Sequence, residues 1–215
     1  MVLFSIQHYL GFIAAALVVC AAPGPDNLAV LSLGISRGKR AGVGFALGCA
    51  LGCLTHTLWA TIGVAAVIAA SPVAFTVLKF AGGAYLIVLG VKALRSPGAH
   101  IDAQTTGGGS DADTLKRYIT RGFLANAINP KVALFFLAFL PQFVDRAGSV
   151  SVQMALLGLT FAVTTAVLFV TLGYCSGHIG AWLRRNESVT RWLDRATGCL
   201  FIGLGVRLAA IQQGH

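Results

Sequence analysis

An acid, Asp26, and a base, Lys131, stand inside long apolar stretches, each beside proline: Pro23-Gly24-Pro25-Asp26-Asn27 and Asn129-Pro130-Lys131. An ionised side chain at bilayer centre costs about 3 kcal/mol on insertion scales, and each interior proline removes a helical hydrogen bond. Irregular, charged backbone at that depth is tolerated where protein or a water-filled cavity surrounds it. The chemistry on offer is ligand binding and proton carriage rather than bond making. A carboxylate receives an ammonium or a proton, an ammonium holds a carboxylate, and the backbone amides of a half-helix starting near Asp26 attract an anion. Pairing Asp26 with Lys131 would offset much of the desolvation of both.

Each of these residues also has a structural reading. Asp26 is an N-cap that restarts a helix after Pro25, and Lys131 is a stem reaching to the interface. His56, beside Thr55, Thr57 and Trp59, is a proton relay or a hydrogen-bonded packing histidine. Asn126 and Asn129 bond a ligand, or they cap carbonyls that Pro130 leaves free. Tyr85 lines a path or packs on Gly82 and Gly83.

The elements that must position them are membrane helices. Hydrophobic residues make up 56% of the 215 and charged residues 11%, and mean hydropathy is +0.79, values outside the range of soluble domains. Six apolar runs reach the roughly 20 residues needed to cross a bilayer, at 5–35, 41–70, 73–94, 118–144, 151–180 and 192–211. No Lys or Arg precedes the first run and hydrophobicity resumes after Asn27, so it is expected as a retained span rather than a signal peptide.

The net charge of +9 is spread between the runs, which argues for orientation and against nucleic acid. Arg37, Lys39 and Arg40, then Lys92, Arg95, Lys116, Arg117 and Arg121, then Arg184, Arg185, Arg191 and Arg195 mark three connections on one face. By the positive-inside rule that face is cytoplasmic; Arg146 and Arg207 lie opposite, and both termini are expected outside. Lys79 lies near enough to a span end to snorkel.

Other chemistries find no support. Cys20, Cys49, Cys53, Cys175 and Cys199 lack ligand spacing and read as small packing residues, so no metal and no cofactor is expected. No nucleotide loop is present, and Ser32 and Ser36 have no partner that would make a nucleophile, so the chain is not expected to be an enzyme. Gly44, Gly48 and Gly52 form a smooth stripe for helix contact, inside one chain or between the subunits of a homodimer.

A repeat links the two halves. Gly83 to Lys92 reads G-A-Y-L-I-V-L-G-V-K and Gly198 to Arg207 reads G-C-L-F-I-G-L-G-V-R. Three spans per half would invert the second half in the membrane and put a site between the broken first helices. The expected fold is therefore an all-α integral membrane protein, a 3+3 inverted repeat. Residues 1–94 form the first repeat, 95–117 a flexible cytoplasmic linker containing Gly107-Gly108-Gly109-Ser110-Asp111, and 118–215 the second repeat.

The residues Pro23 to Leu28, Asn129-Pro130-Lys131 through Phe135-Phe136, Phe139-Leu140-Pro141-Gln142-Phe143, and Gly82-Gly83-Ala84-Tyr85-Leu86 with Gly90 carry a resemblance. The chain resembles, nearly end to end, the lysine exporter and homoserine/threonine resistance (LysE/RhtB) family of bacterial amino-acid efflux proteins. That resemblance implies export of amino acids or similar small metabolites across the inner membrane, driven by the proton or another ion gradient. An amino acid would present its carboxylate to Lys131 and the half-helix amides and its ammonium to Asp26. The expected substrate-binding set is Pro23, Gly24, Pro25, Asp26, Asn27, Asn126, Asn129, Pro130 and Lys131, with Asp26 and His56 as proton-coupling candidates. A transporter or channel for cations or another small solute, and a non-transport membrane assembly subunit, are the competing readings.

Overall fold

The structure is a computed structural model that describes residues 6–96, 114–145 and 148–210. Most of the expected linker, Arg146, and the side chains of Lys79 and Arg184 lie outside the described residues. Helices and turns make up the described chain, with no strand among those residues.

Proline punctuates the helices. The first helix, α1 (Ile6–Ala21), makes its last helical bond from Ala22 N to Val18 O, because Pro23 and Pro25 have no amide to continue it. Gly24 is extended and α2 (Pro25–Ser36) starts with proline in its first turn, where a missing N–H is harmless. The two axes bend by 54°. Gly38, at φ +86°, then reverses the chain; a side chain there would be strained. Helices α3 (Lys39–Ala70) and α4 (Pro72–Leu94) follow.

The second break repeats the first. Helix α5 (Leu115–Ala127) stops before Pro130, which opens α6 (Pro130–Leu134). The path continues as a π-helical turn over Phe135–Phe139 and a 3₁₀ turn over Leu140–Phe143, and it bends by 50° at the break. Helices α7 (Val150–Tyr174), α8 (Ser176–Arg185) and α9 (Glu187–Ala210) complete the described fold.

Two helices are long and apolar enough to cross a membrane alone, α3 over Lys39–Gly63 and α7, each with 25 residues, or about 37 Å of helix. Counting each bent pair as one broken span raises the total to four. Helix α4 contributes a shorter apolar stretch, Phe80–Leu94, and α9 carries Arg191, Asp194 and Arg195 in its first half. Three expected boundaries move. The fifth run ends at Tyr174, not 180, because the chain turns at Cys175 to seat Ser176 against Gly34. The sixth begins at Glu187 rather than 192, and the fourth at Leu115 rather than 118.

Close glycine contacts assemble the bundle. A methyl added at Gly48 would collide with the Ile119 carbonyl and lie 2.7 Å from Phe123 N, and one at Gly52 would lie 2.7 Å from Asn126 Cβ. The expected stripe is thus an intrachain seam that brings α5 against α3. Helices α3 and α7 run antiparallel, with Gly42 against Gly173 and Thr57 against Gly158. Helices α4 and α9 do the same, with Gly83 against Gly205 and Gly90 against Gly198. Beneath the second break the rings of Phe135 and Phe136 meet Phe161 at 4.9 and 5.1 Å, while Phe12 meets Phe143 at 5.4 Å. Leu51, Leu58, Trp59 and Ile62 of α3 and Leu159, Val163 and Val167 of α7 face outward, as lipid-contacting side chains do.

Candidate functional site

Each break leaves carbonyls that a continuous helix would have satisfied, and the polar side chains answer that need. Pro130 has no N–H for the carbonyl of Asn126 four residues back. That oxygen instead receives Asn129 N at 2.8 Å and His56 Nε2 at 2.8 Å, so Nε2 carries the hydrogen. At the first break Asn27 Nδ2 donates to Cys20 O at 2.8 Å and Lys131 Nζ donates to Ala22 O at 2.9 Å. The carbonyl expected to be freed by Pro130 is there, but its side-chain donor is His56 rather than Asn126 or Asn129; at the first break the donors are Asn27 and Lys131.

The breaks are also tied to one another. Asn126 Nδ2, at the end of α5, donates to Asp26 Oδ2 in the first turn of α2 at 2.8 Å. Lys131, in α6, reaches back to the end of α1. Two bonds therefore join the broken helices, both donated by the second: one from before its break to α2, the other from after its break to the end of α1. Asp26, Asn126, Asn129 and Lys131 are all buried, at 5%, 1%, 4% and 9% exposure.

Several alternatives are settled by this geometry. The N-cap of α2 is Gly24, and Asp26 lies inside the helix, so the Asp26 cap reading fails. Its carboxylate still benefits from the positive helix end. Asn129 is the cap at its own break, but it serves an amide rather than a freed carbonyl: its Oδ1 accepts Lys131 N at 3.0 Å. Lys131 does not snorkel; its Nζ stands 5.4 Å from the centroid of the Phe201 ring. The expected Asp26–Lys131 ion pair is absent among the described residues, because each head group already has a partner in the opposite break.

Two cavities meet at this centre. The inner one, about 20 Å³, is lined by Asp26, Asn27, Asn126, Asn129 and Lys131 together with Cys20, Phe161 and Thr165; it has room for about one water. The outer one, about 430 Å³, shares Gly24, Pro25, Asn129 and Lys131 with it and adds Pro23, Leu28, Tyr85, Pro130, Phe201, Ser96 and Asp194. A volume of that order suits a small metabolite. All nine expected binding residues thus line one or both cavities. His56 braces the second break, its ring 5.8 Å from that of Phe136.

Sequence reasoning missed two polar positions. Thr165 of α7 stands 3.3 Å from Cys20 Sγ and 3.7 Å from Cys53 Sγ, and nothing in α7 distinguishes it from Thr160, Thr164 or Thr171. Asp194 is buried at 5% exposure and accepts Ser96 Oγ at 2.7 Å. Its placement among the arginines of a basic connection hid it. Cys20, Cys49 and Cys53 are buried as expected, whereas Cys175 is half-buried and Cys199 exposed.

A polytopic helical membrane protein with two interrupted helices crossing at a polar centre is the class that fold and site define. The chain belongs to the LysE type translocator family, whose sequence model matches residues 17–212. A Vibrio cholerae protein described as an uncharacterized membrane protein is 30% identical, covering 96% of this chain and 98% of its own length. The leucine efflux protein of Klebsiella pneumoniae is 28% identical over 97% of this chain and 98% of its own. The homoserine/homoserine lactone efflux protein of Salmonella typhimurium is 28% identical over 96% and 98%. No solved structure matches the chain.

Proposed function

We propose that this translocator is a secondary active transporter that exports amino acids or related small metabolites across the bacterial inner membrane, coupled to the proton gradient. The observation that carries the proposal is the pair of bonds that the second break donates to the first, Asn126 to Asp26 and Lys131 to Ala22, beside a cavity of about 430 Å³. The relatives named for leucine and homoserine efflux favour an amino acid over a cation and transport over an assembly role.

The architecture behind this reading is six spans in two inverted three-helix repeats, residues 1–94 and 118–215, joined by the linker 95–117. Contact reciprocity supports it. With Gly83 equivalent to Gly198 and Gly90 to Gly205, the contacts Gly83–Gly205 and Gly90–Gly198 are each other's images under a pseudo-two-fold axis, as an isologous interface requires. The outer cavity reaches Ser96 and Asp194, near Arg95, Arg191 and Arg195, so the positive-inside rule makes it cytoplasmic and puts both termini outside.

In the proposed mechanism Lys131 holds the substrate carboxylate from the cytoplasmic cavity. That contact competes with the Ala22 carbonyl for the ammonium and loosens the strap between the breaks. The inner chamber must widen for an amino acid to pass, and Asp26 then receives the substrate ammonium in place of Asn126. Protonation of Asp26 from outside releases the ammonium and returns the carrier, with His56 holding the shape of the second break. The test is efflux of labelled leucine, homoserine, lysine and threonine from loaded vesicles, with and without a protonophore. Selective efflux that the protonophore abolishes is expected; an insensitive leak shared by all solutes would identify a channel instead.

A further inference from the structure

The outer cavity holds a carboxylate that the crossing of the breaks does not use. Asp194 stands on the same helix as Phe201, over whose ring the Lys131 ammonium sits at 5.4 Å. Seven residues of helix separate Asp194 from Phe201, about 10 Å along the axis. Both Asp194 and Lys131 line the cavity of about 430 Å³, and Asp26 does not. An amino-acid zwitterion carries an ammonium and a carboxylate on one carbon and calls for one partner of each charge.

Asp194 lacks the usual structural reasons for a buried carboxylate. It lies two turns into α9, beyond the first turn where the helix dipole favours an acid. Among the described residues no cation is paired with it, and its Oδ2 accepts the Ser96 hydroxyl at 2.7 Å. A carboxylate at 5% exposure facing a cavity with a neutral partner is incompletely compensated. Leu28, Leu89, Ala93 and Phe201 also line the cavity, an apolar surface against which a substrate side chain would lie.

We propose that Asp194 and Lys131 form a cytoplasmic loading site for an amino-acid zwitterion, Asp194 taking the ammonium and Lys131 the carboxylate, before the ammonium passes to Asp26. This rests on the transport reading above and deepens it: the site selects solutes carrying both charges on one carbon and a small or apolar side chain.

The experiment uses the full chain in proteoliposomes and compares wild type, Asp194→Asn and Ser96→Ala. It measures KM and maximal rate from the cytoplasmic face for labelled leucine and homoserine, and competition by 2-hydroxyisocaproate, which has the leucine shape without the ammonium. Asparagine keeps an acceptor for Ser96, so Asp194→Asn separates charge from packing. Expected is a rise in KM of about tenfold or more in Asp194→Asn, little change in maximal rate, an unchanged inhibition constant for 2-hydroxyisocaproate, and Ser96→Ala within about threefold of wild type. An unchanged KM in Asp194→Asn would overturn the loading site while leaving transport standing. Equal weakening of the amino and hydroxy acids, or a Ser96→Ala defect as large as that of Asp194→Asn, would make Asp194 a structural tie and overturn it as well. A wild-type protein that moves neither amino acid would overturn the transport reading and the loading site together.

Discussion

His56 and Pro130 are predicted to compensate one another in stability and to part company in transport. Pro130 withholds the N–H that the Asn126 carbonyl would receive, and His56 Nε2 supplies a hydrogen at 2.8 Å in its place. The carbonyl keeps the Asn129 amide, so His56→Leu removes one of two bonds at a buried acceptor. Such a loss costs about 1 kcal/mol, and the measured mean for side-chain bonds between membrane helices is about 0.6 kcal/mol. His56→Gln retains a donor and is expected to lose less than half of that. Pro130→Ala restores a backbone amide four residues after Asn126, so in the His56→Leu background it should recover most of the loss. The same change relaxes the 50° bend and should abolish efflux while stability rises. Denaturant titration of the wild type and the four variants in micelles, paired with vesicle efflux, reads both quantities. A double variant no more stable than His56→Leu, or retained efflux with Pro130→Ala, would refute the reasoning.

Other substitutions probe separate parts of the structure. Asp26→Asn keeps an acceptor for Asn126 Nδ2 but cannot carry a proton; gradient-driven efflux should fall at least tenfold while amino-acid exchange at equal pH persists, as a counterflow assay would record. Asn129→Ala deletes the cap on Lys131 N and should cost about 1 kcal/mol of stability, whereas Asn129→Asp should cost little, by thermal unfolding in micelles. Gly48→Ala drives a methyl into the Ile119 carbonyl and should lower membrane yield and melting temperature sharply; Gly203→Ala, with nothing within 4 Å, should be neutral or slightly stabilising.

The breaks and the glycine seam were legible because proline and glycine act locally: Pro23, Pro25 and Pro130 deny an amide to the helix before them, and Gly48 admits a neighbouring backbone whatever its source. The polar set was legible for a similar reason, since Asp26, Asn126 and Lys131 are conspicuous in apolar surroundings. Their partners were not. Opposite charge suggested an Asp26–Lys131 bond, yet the freed Ala22 carbonyl and the Asn126 amide lie nearer, and only the packing of α5 on α3 determines that. Thr165 and Asp194 escaped notice because a threonine in an apolar helix and an acid in a basic connection are ordinary in sequence. The π-helical turn at Phe135–Phe139 and the separation of α8 at Cys175 depend on ring packing and on the Ser176–Gly34 contact, both long-range.

In the proposed mechanism the breaks enclose a cavity through which an amino acid reaches Lys131 from the cytoplasm. Tyr85→Cys on the cavity wall and Val206→Cys on the outward face of α9, 53% exposed, test it in a background whose five native cysteines are replaced. A membrane-impermeant maleimide applied from the cytoplasmic side should label Tyr85→Cys, leucine or homoserine should slow that labelling, and Val206→Cys should show no such protection. Labelling of Tyr85→Cys from the outside alone, or at a rate that no amino acid changes, would contradict the account.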